Sequence, residues 1–164
     1  MRTLALAAGL MLCSATALAQ DTTSLEVPGY YPTAELGVQA GQPTGFSGKY
    51  WLSPWSAIQA GFTWRLPDEG YSFSLDYVAH SYWLHNSMRE PAGVKMPLYA
   101  GAGVKALKLS SDHPVVGARF PLGVAAMFSA LPVSIFAEVA PGAVFEDKGP
   151  VFSADAGVGA RVYF

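Results

Sequence analysis

The carboxy-terminal stretch SADAGVGARVYF, from Ser153 to Phe164, decides the fold. Its alternate residues fall into two sets: one contains only alanine, valine and phenylalanine, and the other contains serine, aspartate, glycine, arginine and tyrosine. Successive side chains of a β-strand point to opposite faces, so the stretch predicts a strand with one apolar and one polar face. It spans about 12 residues and ends on an aromatic, which suits a bilayer-crossing strand of roughly 9–11 tilted residues with aromatics near the interface.

The amino terminus has the pattern of a cleaved export signal. Arg2 precedes an apolar run from Leu4 to Leu12, and Ala17-Leu18-Ala19 forms a small-x-small cleavage site. The run is far shorter than the ~20 residues that a spanning helix needs, so a membrane anchor is disfavoured. We therefore expect a signal peptide over residues 1–19, a periplasmic lead-in over residues 20–33 and one barrel domain over residues 34–164.

Composition narrows the class of protein. Of the 164 residues, 51% are hydrophobic and 13% are charged, with a formal net charge of −2, which is no electrostatic footprint for nucleic acid. High hydrophobicity without a long continuous apolar run is typical of a membrane β-barrel. Cys13 is the one cysteine and should leave with the signal, so the exported chain has no disulfide or thiolate–metal chemistry. A lipoprotein signal at Cys13 is the alternative, but Leu12 is a poor small residue before it.

Eight alternating runs follow the lead-in, separated by proline, glycine and charged residues. Eight is an even number of strands and about the smallest that closes a membrane barrel around filled side chains. The sequence therefore predicts an all-β fold, an eight-stranded antiparallel transmembrane up-and-down β-barrel. The runs cover residues 34–41, 46–52, 57–64, 71–83, 95–107, 115–128, 133–145 and 153–164, and the longest connection is Leu84–Val94.

Every charge within the runs lies on the parity opposite to the apolar one. A charge that faces lipid at the midplane costs ~2–4 kcal/mol, so this segregation is the strongest sequence evidence for a barrel with a charged lumen. Because an unpaired charge in a narrow lumen is costly, we expect a paired network that plugs the barrel. The network residues are Glu35, Asp76, Glu138 and Asp155 against Lys49, Lys105, Arg119 and Arg161, and the further luminal polar residues are His80 and Tyr99.

The aromatic residues of the runs sort by height. With the amino terminus on the periplasmic side, they form two girdles, as membrane barrels have at both interfaces. The outer girdle holds Phe46, Trp64, Tyr71, Phe145 and Phe152, and the inner girdle holds Tyr50, Trp83, Phe128 and Phe164.

Six motifs together resemble a family of small eight-stranded outer-membrane β-barrel proteins of uncharacterised function. The resemblance covers almost the whole exported chain and implies the fold and an outer-membrane location, with no catalytic residues or cofactor to carry over. It also implies that the barrel assembly machinery reads the terminal aromatic Phe164, and outer-membrane lipids including lipopolysaccharide are the expected surroundings. The motifs are PTGFSGKYWLS (Pro43–Ser53), LDYVAHSYWL (Leu75–Leu84), PLYAGAGVK (Pro97–Lys105), ARFPLGVA (Ala118–Ala125), LPVSIFAEVAPG (Leu131–Gly142) and GVGARVYF (Gly157–Phe164).

Catalysis finds little support, although a lipid-modifying enzyme is kept as an alternative. His80 stands four residues after Asp76, about 13 Å along the strand at ~3.3 Å per residue, so the two do not form a dyad. Ser81, His85 and Ser87 suggest a lipid deacylase, but Ser81 should face lipid and no nucleophile-elbow motif is present. The sequence therefore predicts no catalytic residues.

The size of the barrel and the polarity of its lumen argue against two other barrel functions. Eight strands leave no aqueous channel once side chains fill the lumen, which argues against a general porin but leaves a narrow ion pore open. A soluble lipocalin-like barrel would need an apolar interior, which the luminal charges contradict. The three histidines, of which His113 lies in an outer loop, give no metal-site spacing. A structural or interaction role in the envelope, without metal or cofactor, is the favoured function.

Deletion of Phe164 is expected to impair assembly, because the insertion machinery should read the terminal aromatic strand. The exported chain beginning at Gln20 should fractionate with the outer membrane, and the deletion variant should accumulate there less. Normal accumulation without Phe164, measured by fractionation and immunoblotting, would contradict this expectation.

Overall fold

The computed structural model describes residues 32–65, 70–83, 93–108, 114–146 and 149–164. The expected signal peptide, most of the lead-in and the greater part of the Leu84–Val94 connection lie outside the described residues. Among the described residues, no helix is long and apolar enough to cross a membrane. The strands within these ranges are β1 (Ala34–Gln42), β2 (Thr44–Ser53), β3 (Ser56–Arg65), β4 (Gly70–Ser81), β5 (Val94–Lys95), β6 (Leu98–Lys108), β7 (Val115–Arg119), β8 (Leu122–Phe128), β9 (Val133–Glu146) and β10 (Gly149–Tyr163).

The strands form one closed antiparallel sheet. Strand β1 pairs with β2, β2 with β3, and β3 with β4. Strand β4 pairs with β6, and β9 pairs with β10. The sheet closes where β1 pairs with β10, from Glu35 opposite Tyr163 to Gln42 opposite Ala156. Together β5 and β6 make one crossing, as do β7 and β8, so the described strands cross the barrel eight times. The predicted eight-stranded antiparallel barrel is confirmed.

Two crossings that the sequence predicts as continuous are each broken at a proline. The breaks fall at Met96–Pro97 and at Phe120–Pro121, because proline has no backbone N–H to donate to a ladder. The proline carbonyls nevertheless accept hydrogen bonds across the gap: Gly101 N donates to Pro121 O at 2.8 Å, and Ala125 N donates to Pro97 O at 3.0 Å. The parity of the side chains is therefore the same on both sides of each break.

Most strand boundaries lie within two residues of the sequence prediction, and the start of β10 differs by four. Strand β4 ends at Ser81, whereas the alternating run extends to Trp83. Strand β10 begins at Gly149 rather than near Ser153, and its pairing with β9 starts at Glu146. Gly149, the first residue of β10, has a φ of +121°, a conformation that favours glycine.

The barrel has two distinguishable ends. The terminal end holds the start of β1, the end of β10 and the β2–β3 and β8–β9 turns, and the opposite end holds the β1–β2 turn. At the terminal end, Thr33 N and Ala34 N donate to Phe164 O. The Tyr163 hydroxyl also donates to the carbonyl of Phe128 in the β8–β9 turn.

The outer wall is apolar over its whole circumference, as the alternation predicts. Leu36 is 61% exposed, Phe73 51% and Val158 58%, while most residues between such positions are buried or partly buried. Water-soluble monomers rarely expose apolar patches beyond a few hundred Å², so this surface is suited to a non-aqueous surrounding. Aromatic side chains stand near both ends, including Phe46 and Trp64, whose rings pack edge to face 5.6 Å apart at the opposite end.

Arginine substitutions should distinguish outward-facing from luminal positions by their effect on stability. Val158→Arg and Ala102→Arg place a charge on the outer face and are expected to lower the free energy of unfolding by ~2–4 kcal/mol. Ser153→Arg, on the luminal parity near the opposite end, should be far milder and serves as the matched control. Urea unfolding in lipid vesicles measures all three, and equal penalties would contradict the assignment of faces.

Candidate functional site

The candidate site is the polar interior of the barrel. The structure places all eight luminal charges predicted from parity inside the wall, because each stands at an inward position of its strand. The most enclosed are Arg161, which is 1% exposed, and Glu35 and Asp76, which are each 2% exposed. They come from seven crossings: Glu35 from β1, Lys49 from β2, Asp76 from β4, Lys105 from β6, Arg119 from β7, Glu138 from β9, and Asp155 and Arg161 from β10.

The first ionic group contains three carboxylates and two cations. Lys105 Nζ lies 2.6 and 2.7 Å from the two carboxylate oxygens of Asp155. Arg119 donates to Glu138 Oε1 at 2.7 Å, and its guanidinium also lies 3.4 Å from Asp76 and 3.9 Å from Asp155. Arg119 is thus the centre of this group, which carries a formal surplus of one negative charge by residue type.

The second ionic group is built around Arg161. Its guanidinium donates to Ser47 Oγ at 3.1 and 2.8 Å and lies 3.9 Å from Glu35, while its Cζ stands 3.7 Å from the centre of the Phe136 ring. Glu35 is held by two further donors, Trp51 Nε1 at 2.7 Å and Ser134 Oγ at 2.8 Å. Arg161 is therefore fixed by hydrogen bonds and by an aromatic face together.

Gln59 joins the two ionic groups. Its Nε2 donates to Glu138 Oε2 at 2.6 Å, and its Oε1 accepts from Arg161 at 3.1 Å. The Tyr99 hydroxyl donates to the same Glu138 oxygen at 2.9 Å. Strand parity places Gln59 in the lumen but does not reveal this bridging role, which depends on contacts across the barrel.

Lys49 and His80 form a separate contact. Lys49 Nζ lies 3.1 Å from His80 Nε2, 4.3 Å from the centre of the Tyr99 ring and 5.4 Å from that of Trp51. Within the described ranges, no carboxylate lies within 4.0 Å of Lys49. The cation is instead held by aromatic faces and an imidazole, and neither Asp76 nor another carboxylate is hydrogen-bonded to His80.

Asp76 is the least satisfied member of the network. Its side chain is 1% exposed, and neither carboxylate oxygen has a hydrogen-bond partner among the described residues. Gly103 stands directly opposite Asp76 in the sheet, and a Cβ at that position would lie 2.1 Å from Asp76 Oδ1. The carboxylate therefore occupies the space that the absent side chain of Gly103 leaves.

An apolar cluster fills the terminal end of the lumen. The sequence interpretation missed it, although the signal was present, because these residues stand on the otherwise polar parity. Two of them contact the second ionic group, since Trp51 donates to Glu35 and the Phe136 ring faces the Arg161 guanidinium. The apolar cluster consists of Trp51, Ala57, Val78, Tyr99, Ala125, Met127 and Phe136.

Glycines on the luminal parity make room for two of these rings. A Cβ on Gly123 would lie 2.4 Å from Tyr99 Cζ, and a Cβ on Gly159 would lie 2.5 Å from Phe136 Cε1. Each ring therefore lies across the backbone of a neighbouring strand. The glycine-rich polar face of β10 is thus a packing surface as well as a polar one.

The cavities offer little space for a substrate. One cavity of about 10 Å³ lies in the lumen between the Gln42–Pro43 turn, Arg119, Asp155 and Phe136, which is room for about one water molecule. A second, of about 450 Å³, is an apolar groove on the outer wall between Trp64 and Ile135. No group of three or more metal-ligating residues occurs in the part of the chain that the structure describes.

Of the residues considered for catalysis, the structure describes Ser81 and His80, and they do not contact each other. Ser81 is partly exposed, and its hydroxyl accepts a hydrogen bond from Trp83 N at 3.4 Å. His85, Ser87 and His113 lie outside the described residues. Among the described residues, His80 contacts a lysine and aromatic rings and no serine hydroxyl.

Comparison with known proteins identifies structures but not a family. No protein-family model matches the chain, and curated protein sequences give no significant match. Among solved structures, the chain is similar to the N-terminal β-barrel domain of Pseudomonas aeruginosa OprF, with a TM-score of 0.56, 18% identity, and 80% of this chain and 96% of that chain covered. It also matches Neisserial surface protein A (NspA), with a TM-score of 0.47, 16% identity, and 80% and 93% covered. The OprF likeness shows a shared fold, and the family suggested by the motifs stays a prediction.

A double-mutant cycle on Lys105 and Asp155 should reveal the ionic pairing. Lys105→Met and Asp155→Asn are each expected to lower the free energy of unfolding by about 3–5 kcal/mol, because each removes the nearest opposite charge from a buried ionic side chain. The double variant should recover part of the loss, with a coupling above about 1 kcal/mol. Lys108→Met makes the same change at an exposed strand end and should stay within about 0.5 kcal/mol. Additive losses in urea unfolding would contradict a paired network.

Proposed function

We propose that the chain is an integral outer-membrane β-barrel with a plugged lumen and a structural or interaction role in the envelope, without catalysis. The observation that carries this proposal is the reversal of polarity: the charged residues are inside and the apolar residues are outside. In water such a barrel would expose most of its large apolar side chains, including Leu36, Phe73 and Val158. In a bilayer the same arrangement is favourable, since lipid meets the apolar wall while the eight network charges face the lumen.

Two features support the outer membrane in particular. The amino-terminal segment has the pattern of an export signal, which would direct the chain out of the cytoplasm. A closed sheet leaves no unpaired edge, and closed barrels are the β-structures that span membranes. The shared fold with the β-barrel domain of OprF agrees with this location.

The interior supports a plug. The two ionic groups and the Gln59 bridge link side chains of β1, β2, β3, β4, β6, β7, β9 and β10 across the lumen. The luminal cavity beside Arg119 and Phe136 has room for about one water molecule. Diffusion of solutes through a porin needs a continuous aqueous passage, which larger barrels have.

A lipid-modifying enzyme gains no support from the described residues. The polar side chains of the lumen are enclosed by the wall, and no serine among the described residues is hydrogen-bonded to a histidine. Purified protein incubated with labelled lipopolysaccharide and phospholipid should therefore leave both unchanged by mass spectrometry. A modified lipid product would favour the enzyme instead.

Expression with its own signal tests the location. The full chain should sediment with the outer membrane, resist extraction by urea, and migrate faster in unheated than in heated gels, because a closed barrel resists detergent unfolding. A variant lacking residues 2–19 should stay in the cytoplasm and lack the fast-migrating form. Recovery of the full chain as soluble periplasmic protein would contradict the proposal.

A further inference from the structure

We propose that Asp76 holds a proton in the folded barrel, and that this proton is taken up from solvent when the barrel closes. The Asp76 carboxyl is then a proton-binding site inside the lumen, and it makes the stability of the barrel depend on pH. Such a site adds a response to pH to the proposed plug and does not require any particular role in the envelope.

Four ionic side chains from other strands act electrostatically on Asp76, and they form two pairs without it. Lys105 of β6 holds both carboxylate oxygens of Asp155 of β10, at 2.6 and 2.7 Å. Arg119 of β7 donates to Glu138 of β9 at 2.7 Å. Two cations therefore stand against two carboxylates, and Asp76 is the third acid of the first ionic group.

The acids of the first ionic group differ in the donors that they receive. Besides its ion pair, Glu138 accepts hydrogen bonds from Gln59 at 2.6 Å and from Tyr99 at 2.9 Å. Neither oxygen of Asp76 has a hydrogen-bond partner among the described residues. Hydrogen bonds to a carboxylate stabilise its ionised form, so the ionised form of Asp76 is the least stabilised of the three.

The immediate surroundings of Asp76 do not replace the hydration that a carboxylate has in water. Its side chain is 1% exposed. Directly opposite it stand Gln59 on β3, whose amide bridges the two ionic groups, and Gly103 on β6, which has no side chain. Arg119 Nε lies 3.4 Å from Asp76 Oδ1 but makes no hydrogen bond to it. A buried carboxylate without donors is costly, and a proton removes its charge.

Proton uptake on folding determines the sign of the pH dependence. In an unfolded chain, an aspartate loses its proton at about pH 3.9. Above that pH, the folded barrel holds one proton more than the unfolded chain, so its stability falls as the pH rises. The fall continues until Asp76 ionises in the folded barrel. An ion-paired carboxylate has the opposite effect, because it stabilises a fold more as the pH rises.

Unfolding equilibria of Asp76→Asn in urea test this dependence. The amide has the shape of a protonated carboxyl group and does not titrate. Between about pH 5 and 6, the folding constant of the unaltered barrel divided by that of Asp76→Asn should fall about tenfold. Glu146→Gln neutralises an exposed carboxyl group at the end of β9 and is the matched control, whose ratio should not change. A ratio for Asp76→Asn that stays constant or rises with pH would overturn the proposal.

Infrared spectra detect the proton itself in the unaltered barrel. The exported chain is refolded in a detergent without ester groups at about pH 6, where an aspartate in water is ionised. It is prepared with and without ¹³C in the aspartate carboxyl groups, and the heat-dependent gel shift identifies the closed barrel in each sample. A protonated carboxyl group has a C=O stretch that is separate from the carboxylate bands, and the label should shift this band.

The band should be missing from Asp76→Asn and present in Glu146→Gln. If Asp76→Asn does not close, the labelled and unlabelled spectra of the unaltered barrel decide alone. The absence of a protonated aspartate band from the unaltered barrel, or an unchanged band in Asp76→Asn, would show that the proton is not on Asp76.

Discussion

Pairing between β1 and β10 is the interaction on which the remaining structure depends. It joins the first and last strands, from Glu35 opposite Tyr163 to Gln42 opposite Ala156, and converts a sheet with two open edges into a closed wall. Closure satisfies the backbone groups of both strands, which lipid cannot do. It also brings Arg161 of β10 to Ser47 of β2 and Gln59 of β3, so the wall and the polar interior form together.

The interior of the barrel combines two ways of filling a narrow space. At one level, charged side chains pair with each other and with Gln59, which removes the cost of burying them singly. At the terminal end, rings and aliphatic side chains pack against glycine backbone instead. Phe136 takes part in both, since one face meets the Arg161 guanidinium and its edge meets Gly159. The polar and apolar parts of the lumen are therefore continuous.

Much of the fold is readable from the sequence, because a strand in a barrel has a period of two and its two faces meet opposite environments. The alternation identified the crossings and placed the eight charges inside. It did not locate the interruptions at Pro97 and Pro121, because the alternation continues through them. It also did not identify contacts across the lumen, such as those between Lys105 and Asp155 and between Gln59 and Glu138. Such contacts depend on strand register, strand tilt and barrel closure together. The cluster around Phe136 was missed for a different reason, since apolar residues on the inward parity weaken the pattern used to find strands.

The luminal ion pairs also distinguish between strand registers. A slip of one residue between β9 and β10 would turn Asp155 and Arg161 towards lipid. Such a register is unfavourable because charged side chains would lose their hydration in the bilayer. A slip of two residues keeps every side chain of β10 on its original face. The outer face of β10 consists mostly of alanine and valine, so its contact with lipid would hardly change. The shift would still move Asp155 by about 6.6 Å relative to its neighbours, at 3.3 Å per residue, away from Lys105. Several strand registers give the same contact with lipid, and the ion pairs within the lumen favour one of them.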